Sequence, residues 1–172
     1  RIYTDVFGDS FEALKFFSMP FYFFTSCFVY LVCKKIGLEK SDSFTCAIIF
    51  FVIPAVSLSS FIISTDVVLL LFWSALMYFV LKIRANPKKI YFILLGFFFG
   101  LAFLAKYAAV YFLLSFLILI VFDNKMLRAL KNNLAGCLLF VLVLIMILMP
   151  NIYWNVKNEW LTLSHTADNA NL

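Results

Sequence analysis

Residues Phe44 to Leu81 read FTCAIIFFVIPAVSLSSFIISTDVVLLLFWSALMYFVL, a nearly unbroken apolar run with one acid, Asp66, just past its middle. At about 1.5 Å per residue, one helix of this length would extend roughly 57 Å, almost twice the ~30 Å hydrocarbon core of a bilayer. A single span is excluded. Two spans, 44–63 and 67–81, folded back at Ser64-Thr65-Asp66, fit the length and lift the acid from the bilayer centre, where it would cost about 2.5–3.5 kcal/mol. Asp66 is therefore expected at a membrane surface.

The composition agrees with this reading. With 65% hydrophobic and 13% charged residues, 23 Phe and a mean hydropathy of +1.03, the chain lies far from the soluble average of about 45–50% apolar and about 25% charged. Only helices and closed barrels satisfy every backbone polar group in lipid, and a barrel would show short segments of alternating polarity. The runs here are long and apolar on all sides, so the expected fold class is all-α, a polytopic transmembrane bundle. The formal charge of +5 does not point to nucleic acid, because the basic residues sit in short loops between apolar runs. Cys27, Cys33, Cys46 and Cys137 all lie in apolar segments without a CxxC, and His165 is the sole histidine, so neither a zinc site nor a disulfide framework is indicated. Arg1 to Ser10 carry two acids and lack a signal-peptide pattern; the start on Arg1 rather than Met leads us to expect a chain that begins within a longer one.

Working outward, a first span is expected at 16–33, amphipathic at its approach (Glu12, Lys15) and interrupted by Pro20. Pro54 is expected to kink the span that begins at Phe44. Ile90 to Phe122 is broken only by Lys106 and reads as a second folded-back pair with halves of about 16 residues, or ~24 Å. The last span is expected at 134–149, ending at Pro150-Asn151, with 150–172 an extracytoplasmic loop or tail of a single membrane domain, 1–172. Six spans place the turns at 34–42, 82–89 and 123–132 on one side. These hold ten of the 14 basic residues and three of the nine acids. By the positive-inside rule that side is cytoplasmic, which puts both ends, Asp66 and Lys106 outside.

Each candidate residue has a plain structural reading beside a functional one. Asp66 suits the capping of a helix beginning at Val67, and an ionisable group at a span is also a functional candidate. Lys106 can snorkel, although its setting between two short helices suits a bound anion. Gly96 and Gly100 form a GxxxG, read as close helix packing. Tyr153, Trp154 and Trp160 fit an interfacial aromatic belt or, alternatively, a platform for sugar stacking. His165 lies in a polar tail, where exposure without a catalytic role is the commoner outcome.

Three segments together carry a resemblance: Ser64-Thr65-Asp66 leading into Leu69-Leu70-Leu71-Phe72-Trp73; Gly100-Leu101-Ala102-Phe103-Leu104-Ala105-Lys106-Tyr107; and Pro150-Asn151 through Trp154-Asn155 to Trp160. In order and spacing they resemble the GT-C type glycosyltransferases that use polyprenyl-phosphate sugars, the group of protein mannosyltransferases and lipid A aminoarabinose transferases. Phe7-Gly8-Asp9-Ser10-Phe11-Glu12-Ala13-Leu14-Lys15 resembles that family's approach to its second membrane helix, where Arg more often stands at the position of Lys15.

The resemblance implies sugar transfer from a polyprenyl-phosphate-linked donor to a lipid, glycan or protein acceptor on the outer side of an inner (plasma) membrane. It implies a catalytic or orienting role for Asp66, and substrate contacts from Lys106, Tyr107, Trp154, Asn155 and His165. Membrane lipids are further expected partners, and nucleic acid is not. No cofactor is read from the residues, and a divalent metal is left open for a full-length enzyme. The family's principal carboxylate, in an acidic motif upstream of a His-Pro-Pro-like stretch, would precede Arg1, and downstream spans with an outer domain would follow Leu172. Two other classes compete: a transporter or flippase of polyprenyl-linked glycans, which would place its charges near the midplane, and a non-catalytic membrane subunit. An in-frame acidic loop and His-Pro-Pro-like stretch upstream of Arg1 would select the enzyme.

Overall fold

The computed structural model describes residues 18–54, 56, 64–162 and 164. The approach segment Phe7–Lys15, the start of the first expected span, residues 57–63 of the second, and His165 lie outside the described residues. Those described form helices and short connections, with no strand among them.

Among the described residues the α-helices with placed ends are, in order, α1 (Met19–Ile36), α2 (Lys40–Val52), α3 (Thr65–Ala85), α4 (Lys89–Ala105), α5 (Val110–Phe122), α6 (Asn124–Lys131) and α7 (Leu134–Lys157), with a 3-10 turn at Tyr107–Ala109. Pro20 falls in the first turn of α1, where a missing N–H costs nothing. Gly37 closes α1 in the left-handed conformation, φ 109°, which only glycine adopts without strain. The helices pack in a row, α2 on α1, α1 on α3, α3 on α4 and α4 on α7. α5 lies beside α3 and α4 through Phe112, which meets both Trp73 and Phe99. Aromatic rings fill the centre: Phe79 stacks on Phe98 at 5.6 Å, and Phe28 of α1 reaches both Phe98 and Tyr78.

Two helices, α3 and α7, are long and apolar enough to cross a membrane, and the 107–122 and 124–131 pair makes a third if it is taken as one bent span. At 21 residues α3 measures about 32 Å, and α4 at 17 about 26 Å, close to the ~30 Å core. Large apolar side chains lie exposed along the outer helices, among them Phe122, Val121 and Leu138. So much exposed apolar surface suits lipid rather than water.

The structure corrects three element boundaries. The α2 helix stops at Val52; Ile53 turns to φ −51°, ψ 128°, and the helix resumes only at Pro54, so the expected kink is a break. The last helix does not end at Met149 but runs through Pro150 to Lys157. The third basic turn holds a helix of its own, α6, bent 99° from α5, because Asp123 caps it and Met126 and Ala129 find burial beneath it.

The glycine reading holds. A Cβ on Gly96 would stand 2.6 Å from the Phe140 carbonyl oxygen, and one on Gly100 2.8 Å from Ile147 Cγ2, so the two glycines let α4 and α7 approach. Contacts fix helix direction as well. Asp66 meets Lys106 at one end of α3 and Arg84 meets Asp123 at the other, while Asn133 at the foot of α7 bonds the Pro87 carbonyl. The connections at 82–89 and 123–132 therefore gather at one end of the bundle, to which Ile36 of α1, sharing a pocket with Val80 and Leu81 of α3, brings the 34–42 connection; Asp66, Lys106 and the C-terminal turn of α7 gather at the other.

Candidate functional site

At the end opposite the basic loops, α3 begins two residues earlier than expected. Ser64, not Asp66, is the N-cap: its Oγ accepts the Asp66 N–H at 3.1 Å, and its hydroxyl donates to Asp66 Oδ2 at 3.2 Å. Asp66 sits in the first turn, where the helix dipole still favours a carboxylate. Capping by the serine leaves the outer oxygen of the acid available to a neighbour.

That neighbour is Lys106, 40 residues on, whose Nζ donates to Asp66 Oδ1 at 2.5 Å. Lys106 is the residue at which α4 breaks. Its backbone is extended (φ −161°, ψ 134°), its N–H still bonds the Ala102 carbonyl, and its own carbonyl accepts from Ala109 to start the 3-10 turn. Both side chains are about half exposed, 44% for Lys106 and 56% for Asp66. An exposed pair of this kind adds only about 0–1 kcal/mol to stability, so its separation is cheap.

On the other side of Lys106 is a cavity of about 830 Å³, lined by Phe103, Lys106, Tyr107, Tyr111, Asn151 and Thr162 among others. Its size and its mixture of apolar wall with a few polar groups match a small-molecule site. The polar wall is held from α7. Asn155, 2% exposed, donates to the carbonyl and Oδ1 of Asn151 at 3.0 and 3.1 Å, and its own Oδ1 accepts from the Thr162 hydroxyl. Tyr107 donates to Thr162 Oγ1 at 3.0 Å, tying the turn after Lys106 to the C-terminal segment. Thr162 reaches this place because the chain reverses after α7 through Glu159 and Trp160, both at positive φ (51° and 59°), with the Trp160 N–H on the Asn155 carbonyl at 2.9 Å. Two non-glycine residues in the left-handed region cost about 1–3 kcal/mol each, so the turn is held by its surroundings.

Of the residues expected at a site, Lys106 and Tyr107 line the cavity, Asp66 pairs with Lys106 without lining it, and Asn155 lies beneath the wall, positioning Asn151 and Thr162. Trp154 is half exposed on the outside of α7, away from the cavity lining. Asn151 had a signal in the Pro150-Asn151 pair, four residues before Asn155 on the same helix face. Thr162 had none, since its position depends on the reversal at 159–160. Asp66 is the carboxylate of this end of α3 and already faces a cation. Among the described residues no group of three or more His, Cys, Asp or Glu converges.

The profile of the dolichyl-phosphate-mannose-protein mannosyltransferase family matches residues 1–154, nearly the whole chain. The chain belongs to this family. A relative, lipid A galacturonosyltransferase RgtD of Rhizobium johnstonii, is 32% identical over 123 residues, or 70% of this chain. The match covers 25% of that relative, so the chain spans about a quarter of its length. No solved structure matches. Membership in this family of membrane glycosyltransferases accords with the apolar helices.

Proposed function

We propose that this chain is the central part of a GT-C type glycosyltransferase, multi-pass in the inner (plasma) membrane, with six spans and both ends of 1–172 outside. It transfers a sugar from a polyprenyl-phosphate donor to a lipid, glycan or protein acceptor on the outer face. The relative that acts on lipid A makes a glycolipid acceptor the first to test. The observation that carries the proposal is the Lys106–Asp66 pair beside a partly polar cavity, at the end of the bundle remote from ten basic residues.

The reaction needs an acceptor hydroxyl to attack the anomeric carbon as the bond from that carbon to the phosphate oxygen breaks. The phosphate leaves with the electron pair, and the hydroxyl proton passes to a carboxylate. Lys106 holds the departing phosphate by a charge-assisted hydrogen bond. Asp66, released from Lys106 when the phosphate arrives, orients the acceptor or the principal carboxylate, which the resemblance puts upstream of Arg1. The weak exposed pair thus keeps both groups in place at little cost to donor binding. A transporter would put its charges near the midplane, whereas these stand at a helix end.

Turnover of Asp66→Asn in the full-length enzyme, at matched membrane levels, tests the assignment. A fall of about 10² is expected if the carboxylate holds the acceptor or the principal carboxylate in reacting geometry, and wild-type turnover would remove Asp66 from the site.

A further inference from the structure

The basic end of the bundle carries a second surface that sugar transfer does not use. α6 lies across this end at 99° to α5, as an interfacial helix lies in the plane of a membrane surface. Its two faces are sharply divided. Met126 and Ala129 are buried against the bundle, at 0% and 9% exposed, with Leu130 packed beside them. Lys125, Arg128 and Lys131, each three residues from the next, are all exposed on the opposite face.

The helix is fixed at both ends. Asp123 Oδ1 accepts the N–H groups of Lys125 and Met126 at 2.8 and 3.1 Å, and Arg84 of α3 donates to the other oxygen of the same carboxylate. Asn133 donates to the Pro87 carbonyl and accepts the Gly136 N–H at 3.0 Å. Arg84 occupies the acid nearest to α6, and the other ion pair among the described residues, Lys106–Asp66, is at the far end. Lys82 is held over the rings of Tyr78 and Tyr91. The three cations of α6 are thus presented on a rigid shelf without a carboxylate partner among the described residues.

We propose that the exposed face of α6 binds the headgroups of anionic phospholipids in the leaflet at the basic end of the bundle. The charges are complementary, the apolar side of the shelf is already covered by protein, and the 99° bend turns α6 across the line of the apolar α5 rather than along it. General attraction of any basic loop to a membrane would be spread over all three connections; a built site concentrates it on one. This proposal does not depend on the sugar-transfer reading.

The test uses the full-length protein in nanodiscs of equal phosphatidylcholine and phosphatidylglycerol, with the retained lipids counted by native mass spectrometry. Wild type should retain phosphatidylglycerol severalfold over phosphatidylcholine, and the preference should fall between 0.1 and 1 M salt as the Debye length shrinks from about 10 to about 3 Å. K125Q/R128Q/K131Q should abolish the preference. Removing three charges from the same end but another connection, K34Q/K35Q/K40Q, should leave it, and so should the charge-preserving K125R/R128K/K131R. Equal retention of the two lipids by wild type, an unchanged preference in the α6 glutamine variant, or an equal loss in the Lys34 variant would each overturn the proposal.

Discussion

Gly96→Ala should separate α4 from α7 and reach the site through that displacement. The added Cβ would stand 2.6 Å from the Phe140 carbonyl oxygen, roughly 0.8 Å inside ordinary contact, and a carbonyl cannot swing aside without its helix. Overpacking of this kind costs about 1–3 kcal/mol. Gain in helix propensity, about 1 kcal/mol, offsets part of it. Gly100→Ala has the same propensity gain, but it meets only a side chain, Ile147 Cγ2 at 2.8 Å and Cβ at 3.0 Å, which can give by a small shift where a backbone carbonyl cannot. The difference between the two variants is therefore free of the propensity term and should be about 1–2 kcal/mol, with Gly96→Ala the less stable. Adding Ile147→Ala should relieve Gly100→Ala, whereas trimming Phe140 should not relieve Gly96→Ala, because the obstacle there is backbone. α7 carries Asn151 and α4 leads into Lys106, and misplacement by about 1 Å can cost 10²-fold in rate, so turnover should fall with Gly96→Ala more than stability alone explains. Thermal unfolding in detergent and turnover of the full-length variants are the assays. Equal stability of the two single variants, or rescue of Gly96→Ala by Phe140→Ala, would refute the close-approach argument.

Four further outcomes are expected. Asn155→Ala, which removes buried hydrogen bonds to Asn151 and Thr162, should lower stability by about 1–3 kcal/mol and Tyr107→Phe by about 0.5–1.5 kcal/mol, read by the same unfolding assay. The Arg84 guanidinium, followed by the Met126 and Lys125 N–H groups, holds the Asp123 carboxyl below its ordinary value; its contribution is then present above the ordinary carboxylate pKa of about 4 and lost as pH falls through the lower folded value. Asp123→Asn should flatten that acid limb in unfolding scans from pH 7 to 3. In a cysteine-free background, a probe at Asn86 should be protected from outside and one at Asn169 should react; the reverse pattern would invert the proposed site. The isolated chain 1–172 should show little or no transfer, and robust activity would place the main base within it.

Much of the architecture was legible because it is set by local properties of the chain. Apolar run length gave helices, the single acid at Asp66 marked the start of α3 and the single cation at Lys106 the end of α4, and Gly96 and Gly100 marked a close helix contact. What the sequence did not reveal depends on contacts between distant residues. Nothing local to Asp66 or Lys106 says that they bond each other across 40 residues, and nothing near Thr162 signals a turn built from two non-glycine residues at positive φ. α6 was hidden for a different reason: eight residues with three cations read as a loop until two of them are covered by the bundle. Pro150 read as a helix end because proline usually is one, but its missing N–H, which leaves the Met146 carbonyl without a helical donor, is tolerated in the interior of an apolar helix that continues by packing and local bonds.

Lys106 bears most directly on the central proposal, and equilibrium binding of the polyprenyl-phosphate sugar donor to full-length Lys106→Gln is the measurement that isolates it. Loss of one charge-assisted hydrogen bond to the phosphate, worth about 1.5–3 kcal/mol, should weaken donor affinity by roughly 10- to 150-fold, while Asp66→Asn should bind the donor at least as well as wild type because Lys106 no longer has a competing partner. Wild-type donor affinity in a folded, membrane-inserted Lys106→Gln enzyme would contradict the assignment of Lys106 to the phosphate.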